Sequence, residues 1–166
     1  MIIKIFKKSG VDDFKEYYIP LNSYTQTLTV EKAVVIKPNG TEIKADQNVN
    51  HIVFKSLEEN DSIYLKWNVR NYQSGRFYKD FWDTRFFNMV YPSKIIRYSL
   101  LAPQDFQFRA SAQNMIGEPV KKQTDAGVIH QWMVQDEPAL IPEAGMPPLE
   151  EVGKVLYLSS VNDWET

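Results

Sequence analysis

The chain of 166 residues predicts an all-β fold, a two-layer antiparallel β-sandwich of immunoglobulin-like type closed by a proline-rich C-terminal strap. Three observations carry this. Residues 61–72 alternate strictly, with Ile63, Leu65, Trp67 and Val69 on one face and Tyr64, Lys66, Asn68 and Arg70 on the other, the signature of a half-buried antiparallel strand. Residues 27–45 read as a hairpin around Pro38-Asn39-Gly40. Short apolar runs separated by turn residues recur along the chain with few windows of helical period, which favours two packed sheets.

Each element follows from local pattern. Strands are expected at 2–7 and 14–20. In 27–37 the apolar set Leu28 and Val30 shifts phase to Ala33 and Val35, and a one-residue bulge near Lys32 would keep both pairs on the same face. Proline presets one turn dihedral and Asn or Gly accepts a positive one, so 38–40 turns the chain into a partner strand at 41–45. Further strands are expected at 50–55, 77–90, 94–102, 105–110 and 128–135, with turns at Glu58-Glu59-Asn60-Asp61 and Asp125-Ala126-Gly127. Pro138, Pro142, Pro147 and Pro148 exclude a helix or sheet interior over 136–150. Leu140, Ile141, Met146 and Leu149 make that stretch too apolar for a free linker, so it is expected to lie across the sandwich surface. A last strand is expected at 154–160. The domain organisation read from this is a sandwich over 1–135, a strap and final strand of the same domain over 136–160, and the start of a linker to a downstream domain over 161–166.

Composition narrows the function classes. A net charge of −2 and a pI of about 5.7, with the lysines scattered, argue against a basic face for phosphate, so nucleic acid is not an expected partner. The chain has no cysteine, which excludes disulfides, thiolate zinc sites and a cysteine nucleophile within it. No apolar run approaches the roughly 20 residues of a membrane helix. Residues 1–6 are too short for a signal-peptide core; the protein is cytoplasmic, or the chain begins downstream of an export signal.

Motifs for chemistry are sparse. His51 and His130 stand in no metal-type spacing, so no metal site is expected and both read as structural or surface residues. There is no G-x-S-x-G elbow and no phosphate-binding glycine loop, and no cofactor is expected. Adjacent acids such as Glu58-Glu59 read as solvated turns rather than a catalytic pair.

The strongest local anomaly is aromatic. Half of the 22 aromatic side chains lie between residues 64 and 98, and residues 76–87 are apolar on both strand faces. Three readings stay open: a central strand whose second face meets the strap, a face that contacts another domain, or a platform for stacking sugars. The candidate interaction surface is Tyr78, Trp82, Arg85 and Phe87, joined at the C-terminal end by Trp164.

Several of these stretches resemble one family. Tyr24-Thr25-Gln26-Thr27-Leu28, Val35-Ile36-Lys37-Pro38-Asn39-Gly40-Thr41, Asp61-Ser62-Ile63-Tyr64, Phe81-Trp82 to Phe87, Tyr91-Pro92, Ala102-Pro103, the strap from Glu137-Pro138 to Pro148-Leu149, and Leu158-Ser159-Ser160 with Asp163-Trp164 are similar in order and spacing to the bacterial domain of unknown function 3857. The resemblance implies a β-sandwich lying N-terminal to a transglutaminase-like core in exported, periplasmic proteins. That core uses a Cys-His-Asp triad, of which nothing carries over to a chain without cysteine. The implied role is a non-enzymatic accessory domain whose partner is the intramolecular C-terminal core; from the aromatic surface, a glycan or peptide is the alternative partner.

Overall fold

The computed structural model describes residues 1–72, 80–114 and 117–161. The fold is all-β: among these residues, thirteen strands form antiparallel sheets, with two short helices. The chain divides into two compact units, Met1–Tyr78 and Lys79–Thr166, a boundary that falls inside the stretch read above as one sandwich.

The first unit contains β1 (Ile2–Lys4), α1 (Lys8–Phe14), β2 (Glu16–Tyr18), β3 (Gln26–Ile36), β4 (Glu42–Lys44), β5 (Asp46–Asn48), β6 (His51–Val53) and β7 (Ser62–Asn71). One sheet runs β1-β7-β3-β4 and the other β2-β6-β5. Val35, Ile63 and Leu65 from the first sheet meet Ile52 from the second in one core, completed by Ile5, Ile19, Phe54 and Leu57. Each such buried aliphatic side chain contributes roughly 1.5–3 kcal/mol before the entropy of ordering is subtracted. The expected bulge lies between Val30 and Lys32. The expected turn is present, with Gly40 at φ +86°, a conformation that a side chain would strain. The turn before β7 is fixed by Asp61, which is 1% exposed. Its Oδ2 accepts from Lys37 Nζ at 2.8 Å and from the Glu58 N–H at 2.7 Å, so a charge that would be costly to bury alone is matched.

The second unit contains β8 (Trp82–Phe86), β9 (Ser93–Ala102), β10 (Arg109–Gln113), β11 (Val120–Thr124), β12 (Gly127–Glu137), α2 (Leu149–Val152) and β13 (Val155–Ser159). Its sheets run β10-β13-β8 and β11-β12-β9. Phe87, Leu156 and Leu158 from one layer pack against Trp132, Ile96, Tyr98, Leu100 and Val134 from the other, the interdigitated interior of a sandwich.

Two expectations change, one unexpected helix forms, and one of the three open readings of the aromatic strand falls. The strand placed at 105–110 begins at Arg109, because residues 103–106 close a turn through the Phe106 N–H and the Pro103 carbonyl at 3.1 Å. α1 forms despite Gly10 and Ser9, since Val11 and Phe14, three residues apart, both pack on the core. The strap is not wholly irregular: Leu149–Val152 makes one helical turn started by Pro148, where a missing N–H costs nothing. The aromatic strand is not central: among the described residues β8 pairs only with β13, and Trp82 is 53% exposed.

The strap touches the second unit at several points. The Leu140 N–H donates to the Met89 carbonyl at 2.8 Å, and the Tyr157 hydroxyl, on the outer face of β13, donates to the Glu150 carbonyl at 3.4 Å. Leu140, Met146 and Leu149 are half-buried, whereas Ile141 is 75% exposed.

Candidate functional site

The aromatic strand separates its candidate residues by parity. Side chains of a strand alternate between faces, so Phe81, Asp83, Arg85 and Phe87 share one face of the β8 segment and Trp82, Thr84 and Phe86 the other. Phe87 is 0% exposed in the core. It is therefore packing and not part of a surface, which corrects its place in the candidate set. Trp82 and Arg85 are exposed. Tyr78 and Trp164 lie outside the described residues.

Arg85 belongs to a polar trio at the margin of the apolar layer. Its Nε donates to Asp83 Oδ2 at 2.8 Å, and the Tyr98 hydroxyl donates to the same oxygen at 3.0 Å. The guanidinium sits 5.4 Å from the Tyr98 ring centroid, within range of cation–π attraction. Burial, reinforced by the Asp83 charge and hydrogen bond, pushes the Tyr98 phenol up to about 12. The trio holds Arg85 against the sheet rather than leaving it free for a ligand.

A second site, unremarked in the sequence, is a cavity of about 410 Å³ within the second unit. Its floor and one wall come from β12 and β11. Register pairs His130 with Lys121 and Val128 with Gln123, so these four project together beside Trp132. The opposite wall is the 103–108 segment, which brings Phe106 and Phe108 over them, and Ala110 of β10. The rings form a continuous series: Phe106 and Phe108 at 6.3 Å, Phe108 edge-on to His130 at 4.9 Å, His130 and Trp132 at 6.3 Å, and Trp132 and Tyr98 at 6.0 Å. Trp132, at 2% exposure, supports the cavity from beneath; Phe106, Phe108 and His130 are half-buried at its surface. Burial, then the Lys121 ammonium, pushes the His130 imidazole below its ordinary value. The alternation of His130 and Trp132 was a readable sign that both share a face. Nothing in residues 103–108 indicated that the loop would fold back over it.

The histidines do not build a catalytic set. His51 Nε2 lies 3.0 Å from Glu16 Oε2 and its ring stacks on Tyr18 at 4.2 Å. Among the described residues, the hydrogen bonds join neither histidine to a serine hydroxyl, and no cluster of three or more His, Asp or Glu side chains is placed to hold a metal. No helix among them is long and apolar enough to cross a membrane.

Fold and site together define an all-β chain of two antiparallel units, the second with an aromatic-walled cavity. A family model described as a domain of unknown function with solved structure (DUF3857) matches residues 1–64. The resemblance read at 24–28, 35–41 and 61–64 falls within that match. No curated protein matches the chain. A solved structure, that of a putative protease from Parabacteroides distasonis, aligns over 98% of this chain with a TM-score of 0.84 at 19% identity. The chain spans 36% of that protein's length. The likeness establishes a shared fold.

Proposed function

We propose that this chain is a non-catalytic accessory or interaction domain of a larger bacterial protein with a transglutaminase-like, papain-fold core acting as a cysteine peptidase or amidase. The observation that carries this reading is that nearly the whole chain corresponds to 36% of a protein described as a protease, while the chain has no cysteine to serve as that core's nucleophile. The partner is then the C-terminal core of the same polypeptide, and the resemblance points to an exported, periplasmic setting. The reading frame beyond residue 166 tests it. A Cys, His and Asp set in a transglutaminase-like core is expected there, with amidase activity in the longer protein and none in residues 1–166. A frame without such a core overturns the proposal.

The ligand-binding alternative is favoured by one observation, the rings exposed or half-exposed on the second unit. At the β8 edge it predicts that Trp82→Ala weakens glycan or peptide binding; unchanged binding removes that edge as the site.

A further inference from the structure

We propose that the cavity walled by Phe106, Phe108 and His130 binds a neutral oligosaccharide, an inference that deepens the ligand-binding reading and relocates its site from Trp82.

The chemistry of the walls selects the ligand. Phe106 and Phe108 present half-buried ring surface on one side. A ligand lying there needs an apolar face. Gln104, Gln107 and Gln123 also line the cavity, with Gln107 Nε2 donating to the Asp105 carbonyl of its own loop at 3.5 Å. A side-chain amide both donates and accepts, and a neutral imidazole does the same. Their natural complement is a group that also does both, which a sugar hydroxyl is. A pyranose ring combines the two requirements, with C–H bonds on its faces and hydroxyls around its rim.

Charge points the same way. Lys121 and Glu118 both line the cavity, so their opposite charges leave no net demand for an anion or a cation. Burial and Lys121 both favour the neutral form of the His130 imidazole. The volume is at the small end of the range for ligand sites, which suits one or two sugar rings rather than a folded partner. Trp132 contributes beneath the site and not as a platform, because it is 2% exposed.

An extended peptide is the competing occupant. Among the described residues β10 and β11 are sheet edges, and free edges can accept an added strand. The peptide reading uses the strand edges and needs none of the three glutamines; the sugar reading uses the rings and the glutamines that line the cavity.

The test is titration of the 166-residue chain with cellotetraose, chitotetraose and an extended Val/Thr-rich peptide, followed by two-dimensional NMR. Binding of either sugar with shifts at the His130 ring and the Trp132 indole is expected. Gln123→Ala, an exposed change that leaves the fold intact, should weaken that binding by about tenfold, as loss of one good contact does, and Phe108→Ala by more. Sugar binding that survives both changes but is lost in Trp82→Ala overturns the cavity and leaves the ligand-binding reading standing at the β8 edge. Binding of the peptide alone, with shifts along β11, overturns the sugar assignment. No binding of any probe overturns both.

Discussion

Lys154 donates to both carboxylate oxygens of Glu137, at 2.6 and 2.7 Å. Glu137 ends β12 and Lys154 precedes β13, so this pair closes the base of the proline-rich strap. Glu137 is only 8% exposed, and the next links are tight: the Lys154 N–H donates to Asn88 Oδ1 at 2.9 Å, and the Phe87 N–H to the Lys154 carbonyl at 2.8 Å. The clamp therefore sets where β13 enters the core. Removing one partner leaves the other charge buried. Lys154→Met should cost about 3 kcal/mol, at the low end for breaking a buried pair because Lys154 keeps 30% exposure. Urea unfolding of Lys154→Met, Glu137→Gln and the double variant checks it. Additive single effects would show that the two side chains do not act as a pair.

Gly127 begins β12 with φ +135°, and a Cβ there would stand 2.2 Å from the Ala102 carbonyl oxygen. Backbone cannot yield as a flexible side chain does. Gly127→Ala should destabilise the second unit by roughly 2–4 kcal/mol, through strain and a displaced β9–β12 ladder. Gly117→Ala meets nothing within 4 Å and serves as the control, within about 0.5 kcal/mol of wild type. Equal melting temperatures for both variants would contradict the geometry.

His130 makes acid stability a local question. Its folded pKa lies below the ordinary imidazole value of 6.5, so the unfolded chain takes up the proton more readily. The contribution of His130 to stability is therefore complete above 6.5 and is lost as pH falls from there through the folded pKa. His130→Gln should flatten that part of the stability profile, and Lys121→Gln should raise the His130 NMR midpoint by removing a neighbouring positive charge. A wild-type midpoint at or above 6.5 would show that neither burial nor Lys121 acts on the ring.

Tyr98 gives the opposite end of the scale. Its phenol is pushed up from 10.0 to about 12, so the fold favours the neutral form. That contribution is present below pH 10 and is lost as pH rises from 10 towards 12. Tyr98→Phe removes a donor to Asp83 and should cost about 1 kcal/mol. In an ultraviolet titration the variant should lack a phenol that ionises near pH 12. An unchanged high-pH limb would place Tyr98 among the ordinary tyrosines.

Local pattern carried the strands with strong alternation. Ile63 and Leu65 are buried as their period demands, and the phase shift between Val30 and Ala33 located the bulge to within a residue. It could not reveal β11. Residues 120–124, Val-Lys-Lys-Gln-Thr, carry almost no apolar side chain, because an edge strand can be held by its ladder alone and its lysines discourage further pairing. The three-residue β5 was lost for the same reason. Missing β11 also hid the cavity, since Lys121 and Gln123 are brought to it only through pairing with His130 and Val128.

What the sequence by itself determined was the all-β class, the hairpin at Pro38-Asn39-Gly40, and the irregular course imposed by the prolines from Pro138 to Pro148, because these follow from side-chain period and backbone restrictions local to each segment. What only the tertiary structure decided was which aromatic rings face inward. A run apolar on both sides, such as Phe81-Trp82 to Phe86-Phe87, looks the same in sequence whichever face is buried. Pairing of β8 with β13 sends Phe87 into the core and leaves Trp82 outside. The 103–108 loop, folding over β12, sets Phe108 beside His130. Burial is a property of the partner brought across the sheet, and that partner lies tens of residues away along the chain.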